Sequence, residues 1–231
     1  MVANIGGASA YPNVRDHLLE IENYTDIPDF IIIQEPGTDE NFKPEELEPF
    51  VSEYRTYGKI RLHHHQNINP DNLEEIDGID GFSFNTSIKI GKIETTILVV
   101  AAYRCHSISK DKFFKAIDKH IDKRTCSHVV LCGDFNTHPD NPLLLDIIDK
   151  FKLCSMTDIG HQHRSTDSCT QIDYILTNLP APNFEVSIQP SLENKALLNS
   201  ELGHKCFKMN LDPAIKQISC SIKKIDWKRV V

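Results

Sequence analysis

The chain has 231 residues, 40% of them hydrophobic and 25% charged, with a formal net charge of -8 at pH 7. That balance fits one globular domain with a sizeable core, and the acidic excess argues against a coat that holds nucleic acid through phosphate neutralisation alone. No apolar run approaches the length of a membrane span, and Met1-Val2-Ala3-Asn4 lacks the basic and apolar regions of a signal peptide. Seven cysteines without a C-x-x-C pair fit free thiols in a reducing compartment, not a disulfide framework or a thiolate zinc site. The expectation is an intracellular chain, nuclear or cytoplasmic, that is not secreted and has no membrane partner.

Strand-like and helix-like segments alternate along the chain without an internal repeat. Val14, Leu18 and Ile21 fall on one helical face with Pro12 near its start, and Asp29 to Ile33 reads as a short buried strand. Residues 36–78 carry no clear pattern. Within them, His63-His64-His65 cannot turn three rings toward one metal from a strand, and a mostly exposed strand or loop is expected. Gly81 to Ile90 and Ile93 to Tyr103 form a predicted hairpin turning at Gly91-Lys92. Phe113, Phe114, Ile117 and Ile121 make the apolar stripe of a helix inside the basic segment Lys110 to Arg124, whose charges are expected on a solvated face. Asn141-Pro142 looks like an N-cap and first helical position, opening a helix to about Phe151. Gln171 to Leu176 and Lys205 to Leu211 read as further strands, and Lys216 to Arg229 as a charged tail. Mixed strands and helices with hairpins indicate an α/β sandwich of sheets covered by helices.

Polar residues recur where the strands end. The apolar run Val129 to Cys132 delivers Gly133-Asp134-Phe135-Asn136 to a loop. Alternation along a strand would turn Asp134 and Asn136 to one side, where a carboxylate beside an amide suits a phosphate and an attacking water. An Asx-type turn is the competing reading of the same residues. Asn4 follows a short opening strand, Gln34-Glu35 ends the strand Phe30 to Ile33, and Tyr103 closes Ile97 to Ala102. Asp173 sits inside the strand pattern Gln171-Ile172-Asp173-Tyr174-Ile175-Leu176, where a carboxylate is costly unless paired, and His204 precedes the last apolar strand.

In this order, Asn4, Ile33-Gln34-Glu35, Tyr103, Gly133-Asp134-Phe135-Asn136, Ile172-Asp173-Tyr174-Ile175 and Gly203-His204 resemble the endonuclease/exonuclease/phosphatase superfamily, from residue 4 to about 211. Tyr103-Arg104, the run Gln171 to Asn178 and the tail Ile225-Asp226-Trp227-Lys228 look most like the endonuclease domain of non-LTR retrotransposons, which is apurinic-endonuclease-like. The resemblance implies a four-layered α/β sandwich, two mixed β-sheets packed face to face and flanked by helices. It implies a domain over 1–212 and a charged tail over 213–231, with a reverse transcriptase as the downstream partner domain in such elements. It also implies Mg²⁺- or Mn²⁺-dependent phosphodiester hydrolysis with DNA as the partner. Glu35 is then the principal metal ligand, since Mg²⁺ prefers carboxylate oxygen, and Asn4 helps to place the metal or phosphate. Asp134 orients or deprotonates the water, Asn136 holds a phosphate oxygen, Tyr103 donates to the phosphate or leaving oxygen, and Asp173 fixes His204 against the scissile phosphate.

The chain departs from the family pattern twice. Leu202-Gly203-His204 stands where the family usually reads Ser-Asp-His, so a metal-side carboxylate is missing. No Thr is assignable ahead of the Ile172 strand, where Gly160 to Thr166 stands instead. Three readings therefore remain open: a DNA-nicking endonuclease, a phosphoesterase acting on RNA ends or small phosphoesters, and a catalytically impaired relic or binding domain.

Overall fold

A computed structural model describes residues 1–5, 11–22, 28–37, 50–52, 59–90, 92–156, 172–180, 185–189 and 206–211. The described strands form two six-stranded sheets. One holds β1 (Val2–Asn4), β2 (Phe30–Gln34), β3 (Phe50–Ser52), β4 (Ile60–His65), β11 (Glu185–Gln189) and β12 (Cys206–Asn210), in the order β11-β12-β1-β2-β4-β3. The other holds β5 (Asp71–Glu75), β6 (Asp80–Ile90), β7 (Ile93–Tyr103), β8 (His128–Asp134), β9 (Cys154–Ser155) and β10 (Asp173–Thr177), in the order β5-β6-β7-β8-β10-β9. Both sheets mix parallel and antiparallel pairs, as β1 with β2 and β7 with β8 run parallel. The α/β sandwich expected from the motif order is the observed fold.

Alternation along the strands builds two cores. Val2, Ile32 and Leu62 of the first sheet meet Phe82, Phe84, Val99, Ala101, Val130, Cys132 and Ile175 of the second in one buried cluster between the sheets. The intervening residues Leu98, Val100, Ala102, Val129, Leu131, Tyr174 and Leu176 turn to the opposite face. There they pack under helices α2 (Lys110–Asp122) and α3 (Pro142–Phe151), against Phe113, Phe114, Ile117, Leu144 and Ile147. Both helices start as their sequences require. Ser109 caps α2 by accepting from the Lys112 amide at 3.2 Å, and Asn141 caps α3 from before Pro142 by accepting from the Leu143 amide at 3.2 Å. Helix α1 (Tyr11–Glu22) occupies the expected span with Val14 fully buried; the side chains of Leu18 and Ile21 lie outside the described residues.

The basic segment on α2 is solvated as expected. Lys115 pairs with Asp111, Arg124 reaches Glu74, and Asp118 and Asp122 both receive Lys150 of α3. The second basic segment lies outside the described residues. Five described cysteines are free thiols, and no described helix is long and apolar enough to cross a membrane.

One expectation fails. His63-His64-His65 is not exposed: β4 lies inside the sheet between β2 and β3, so His63 and His64 are both buried. The strand's neighbours are 26 or more residues from it on the β2 side, as in the Ile31–His63 pairing, and nothing local announces them. Adjacent rings do face apart, as strand geometry demands. Burial, with Arg61 and His64 close by, pushes the His63 imidazole down to about 3.

Candidate active site

The inter-sheet core gives way to polar residues at one end, by the same period-two rule. Val2 is followed two residues on by Asn4, Ile32 by Gln34, Ala101 by Tyr103 and Cys132 by Asp134, while Asp173 stands two residues before Ile175. Each polar side chain therefore inherits the inward direction of its core neighbour. The strand pairings bring these ends level. Asn4 pairs with Gln34 across the parallel strands β1 and β2, and Asp134 pairs with Asp173 across the antiparallel strands β8 and β10. All five are nearly excluded from solvent: Asn4 3%, Gln34 1%, Tyr103 2%, Asp134 1% and Asp173 5% exposed.

Hydrogen bonds then cross from sheet to sheet. Asn4 Nδ2 donates to Asp134 Oδ2 at 3.1 Å, Gln34 Nε2 donates to the Ala102 carbonyl at 3.3 Å, and the Tyr103 hydroxyl donates to Glu35 Oε1. Burial and the Glu35 carboxylate raise the Tyr103 pKa well above its ordinary value of 10.0, with Asp134 adding to the effect. Tyr103 is consequently a proton-bearing donor across the working pH range.

Two residues arrive by another route than strand alternation. Glu35 directly follows inward-facing Gln34, so continued strand would send it outward; instead it adopts a left-handed conformation (φ 50°) and reaches Tyr103. Asn136 is likewise left-handed (φ 45°), because β8 ends at Asp134. The Asp134–Asn136 juxtaposition is thus an Asx turn, with the Asn136 amide donating to Asp134 Oδ1 at 2.8 Å. Alternation therefore does not set the Asn136 side chain, whose Nδ2 donates to the Arg104 carbonyl. The bond that makes the turn also orients the Asp134 carboxylate.

Gly133 has a steric reason to precede Asp134. A Cβ there would lie 1.9 Å from the Ala102 carbonyl oxygen and 2.6 Å from Gln34 Nε2, at a φ of 139°. Sequence reasoning missed Gln34 and Arg104 as members of the site. Arg104 followed Tyr103 in plain view, but its partners are all backbone groups, which no residue pattern displays. His204, with Gly203, lies outside the described residues. Strand β12 pairs Phe207 with Val2 of β1 in antiparallel register.

Among the described residues, no group of three or more His, Cys, Asp or Glu converges as a metal cage. The available donors are instead carboxylate and amide oxygens of Glu35, Asn4 and Asp134 at the strand ends of the two facing sheets. That set suits a hard cation held by one or two carboxylates that keeps several of its waters, which describes Mg²⁺.

Residues 1–194 match the Endonuclease/Exonuclease/phosphatase family. The chain belongs to that family. Its members are hydrolases that generally use divalent metals. The fold is shared with the endonuclease domain of TRAS1, a telomere-specific non-LTR retrotransposon, at a TM-score of 0.57 and 14% identity, covering 91% of this chain and 96% of that one. It is also similar to a functionally unknown conserved protein from Enterococcus faecalis V583 (TM-score 0.58, 12% identity, covering 91% and 98%). A third likeness is to the mannosyl-6-phosphatase Bt3783 from Bacteroides thetaiotaomicron (TM-score 0.52, 13% identity, covering 90% and 98%). No curated protein matches the chain. These structures share the sandwich, and their names read differently: an endonuclease domain, a protein of unknown function and a phosphatase.

Proposed function

We propose that this member of the endonuclease/exonuclease/phosphatase family hydrolyses phosphodiester bonds in DNA, nicking one strand with the help of Mg²⁺ or Mn²⁺. The observation that supports the reading is the pair of bonds that join the two sheets, Asn4 to Asp134 and Tyr103 to Glu35, with the Asn136 amide bonded to the same Asp134 carboxylate. Glu35 and Asn4 would hold the cation. When bound, it neutralises charge on the phosphate and on the leaving oxygen.

The chain's own residues supply the remainder. Asp134 orients the attacking water and takes its proton; the Asn136 amide and Asn4 Nδ2 fix the two oxygens of its carboxylate. Asn136 Nδ2 uses one hydrogen on the Arg104 carbonyl at 3.0 Å, and its second hydrogen is the donor to a phosphate oxygen. Tyr103 turns its one hydrogen from Glu35 to the phosphate or the leaving oxygen when substrate binds, from a site where its proton is firmly held. Asp173, opposite Asp134 and on the same face, is in our reading the carboxylate that holds His204 in its protonated form against the scissile phosphate.

We place the domain at residues 1–212, with 213–231 a charged tail that could lead to a reverse transcriptase. A chain of net charge -8 needs help to grip duplex DNA, and a basic region beyond the domain would provide it. Supercoiled plasmid with Mg²⁺ tests the function: the wild-type chain should relax it, and Glu35→Ala and His204→Ala should not. Equal behaviour of all three would sink the proposal. Release of inorganic phosphate from small esters without nicking would move the substrate to the phosphoesterase class. Gly203→Asp separates an impaired copy from an adapted one, because a gain of about tenfold or more marks Gly203 as a lesion in cation binding.

A further inference from the structure

Arg104 grips three consecutive carbonyls of the loop that carries Asp134 and Asn136. Its amide donates to the Asp134 carbonyl at 2.9 Å, its Nε to the Phe135 carbonyl at 2.7 Å, and its Nη2 to the Asn136 carbonyl. Nη1 donates to the Ile108 carbonyl at 2.9 Å, tying the same guanidinium to the approach to α2. The contact is reciprocal, since the Arg104 carbonyl accepts from Asn136 Nδ2. The residue is 6% exposed and makes no described side-chain ion pair within salt-bridge distance, and the three hydrogen bonds described for its side chain all go to backbone carbonyls. An arginine is an expensive choice for filling space at a buried strand end. The backbone amide would reach Asp134 whatever the side chain, whereas the rigid planar fork is what reaches the Phe135, Asn136 and Ile108 carbonyls together, and the single nitrogen of a lysine cannot span those three.

The held segment has a need for such a grip. Asn136 is a left-handed residue, a conformation that costs free energy and persists only where its surroundings determine it. Its far side is held too: the Phe135 amide donates to the Ile172 carbonyl at 2.9 Å, and the Tyr174 hydroxyl donates to the Thr137 carbonyl at 2.7 Å.

We propose that Arg104 is the positioning residue of this site, holding Asn136 in its left-handed conformation and thereby aiming the Asn136 amide and the Asp134 carboxylate. It acts through those two residues and touches no substrate. The clamp itself stands on geometry alone. Its consequence for turnover rests on the proposed phosphodiesterase reading.

The test compares the wild-type chain with Arg104→Lys and Arg104→Gln. Hydrogen exchange at the Asn136 amide reports the clamp without reference to activity, and steady-state plasmid nicking with Mg²⁺ reports its effect. Expected are melting temperatures within about 5 °C of wild type, Asn136 exchange faster by at least about tenfold, and kcat lower by about 100-fold with KM within about threefold. Unchanged exchange in a folded variant overturns the clamp. Faster exchange with unchanged kcat overturns the positioning role. Should both variants fail to fold, the Arg104 Nε–H signal of the wild-type chain decides: slow exchange is expected, and rapid exchange with water overturns the clamp. If the wild-type chain does not nick, the functional reading falls on its own, and the Asn136 exchange data alone decide the clamp.

Discussion

The Tyr103 hydroxyl donates to Glu35 Oε1, joining the end of β7 in one sheet to the turn after β2 in the other. The bond joins the proposed hydrogen-bond donor for the phosphate to the proposed ligand of the cation, and Tyr103 must release Glu35 before its one hydrogen can serve a substrate. Tyr103→Phe should lower plasmid nicking on the order of 100-fold. It should also cost about 1.5–3 kcal/mol in urea unfolding, as expected for a bond to a charged acceptor. Retention of full activity would remove Tyr103 from the site. The raised Tyr103 pKa adds a signature in alkali. The unfolded phenol loses its proton near pH 10 while the folded one keeps it, so stability falls as pH rises above about 10. In Tyr103→Phe that fall should be shallower.

Glu35→Gln separates charge from geometry. The amide oxygen can still accept from Tyr103, so the thermal midpoint should stay close to wild type. Losing the carboxylate should cut the Mg²⁺-dependent rate on the order of 100-fold and raise the Mg²⁺ concentration for half-maximal activity. Removal of divalent cation with EDTA should abolish wild-type nicking. Full activity in EDTA would exclude the metal-dependent mechanism.

Gly133→Ala should destabilise the chain by roughly 2–4 kcal/mol, because the added Cβ strikes the Ala102 carbonyl and the Gln34 amide at once. Neither obstacle can yield cheaply, since one is strand backbone and the other bonds that same carbonyl. A urea midpoint equal to wild type would contradict the packing described at this position.

His63 predicts acid sensitivity away from the site. Its folded pKa is depressed to about 3, so between roughly pH 6.5 and 3 the unfolded chain binds a proton that the folded chain refuses. Stability should therefore decline as pH falls through that window, on the order of 1 kcal/mol per unit from this group. His63→Leu should flatten the decline. An unaltered pH dependence in that variant would assign the acid sensitivity to other groups.

Much of the fold was legible because its signals are local. The stripe of Phe113, Phe114, Ile117 and Ile121, the Asn141-Pro142 helix start and the Gly81–Tyr103 hairpin each depend on residues a few positions apart, and each appears as expected. Strands β3, β4 and β5 fall in the stretch where no pattern was readable. There β5 is mostly exposed on a sheet edge, and β4 carries Arg61, His63 and His64 into the interior. Polar residues in a buried strand look like a loop until its neighbours are known.

By itself the sequence determined which polar residues end the strands and the family to which their order belongs. Asn4, Glu35, Tyr103, Asp134, Asn136 and Asp173 were all named as candidates from their place at strand ends and from motif order. Only the tertiary structure decided how they meet. Asn4 lies 130 residues from Asp134, and Tyr103 lies 68 from Glu35; both contacts exist because two separate sheets pack face to face. The left-handed turns at Glu35 and Asn136, and the grip of Arg104 on three carbonyls, likewise arise from backbone conformation held by distant partners. Side-chain periodicity says which way a residue faces, whereas a site also requires something for it to face.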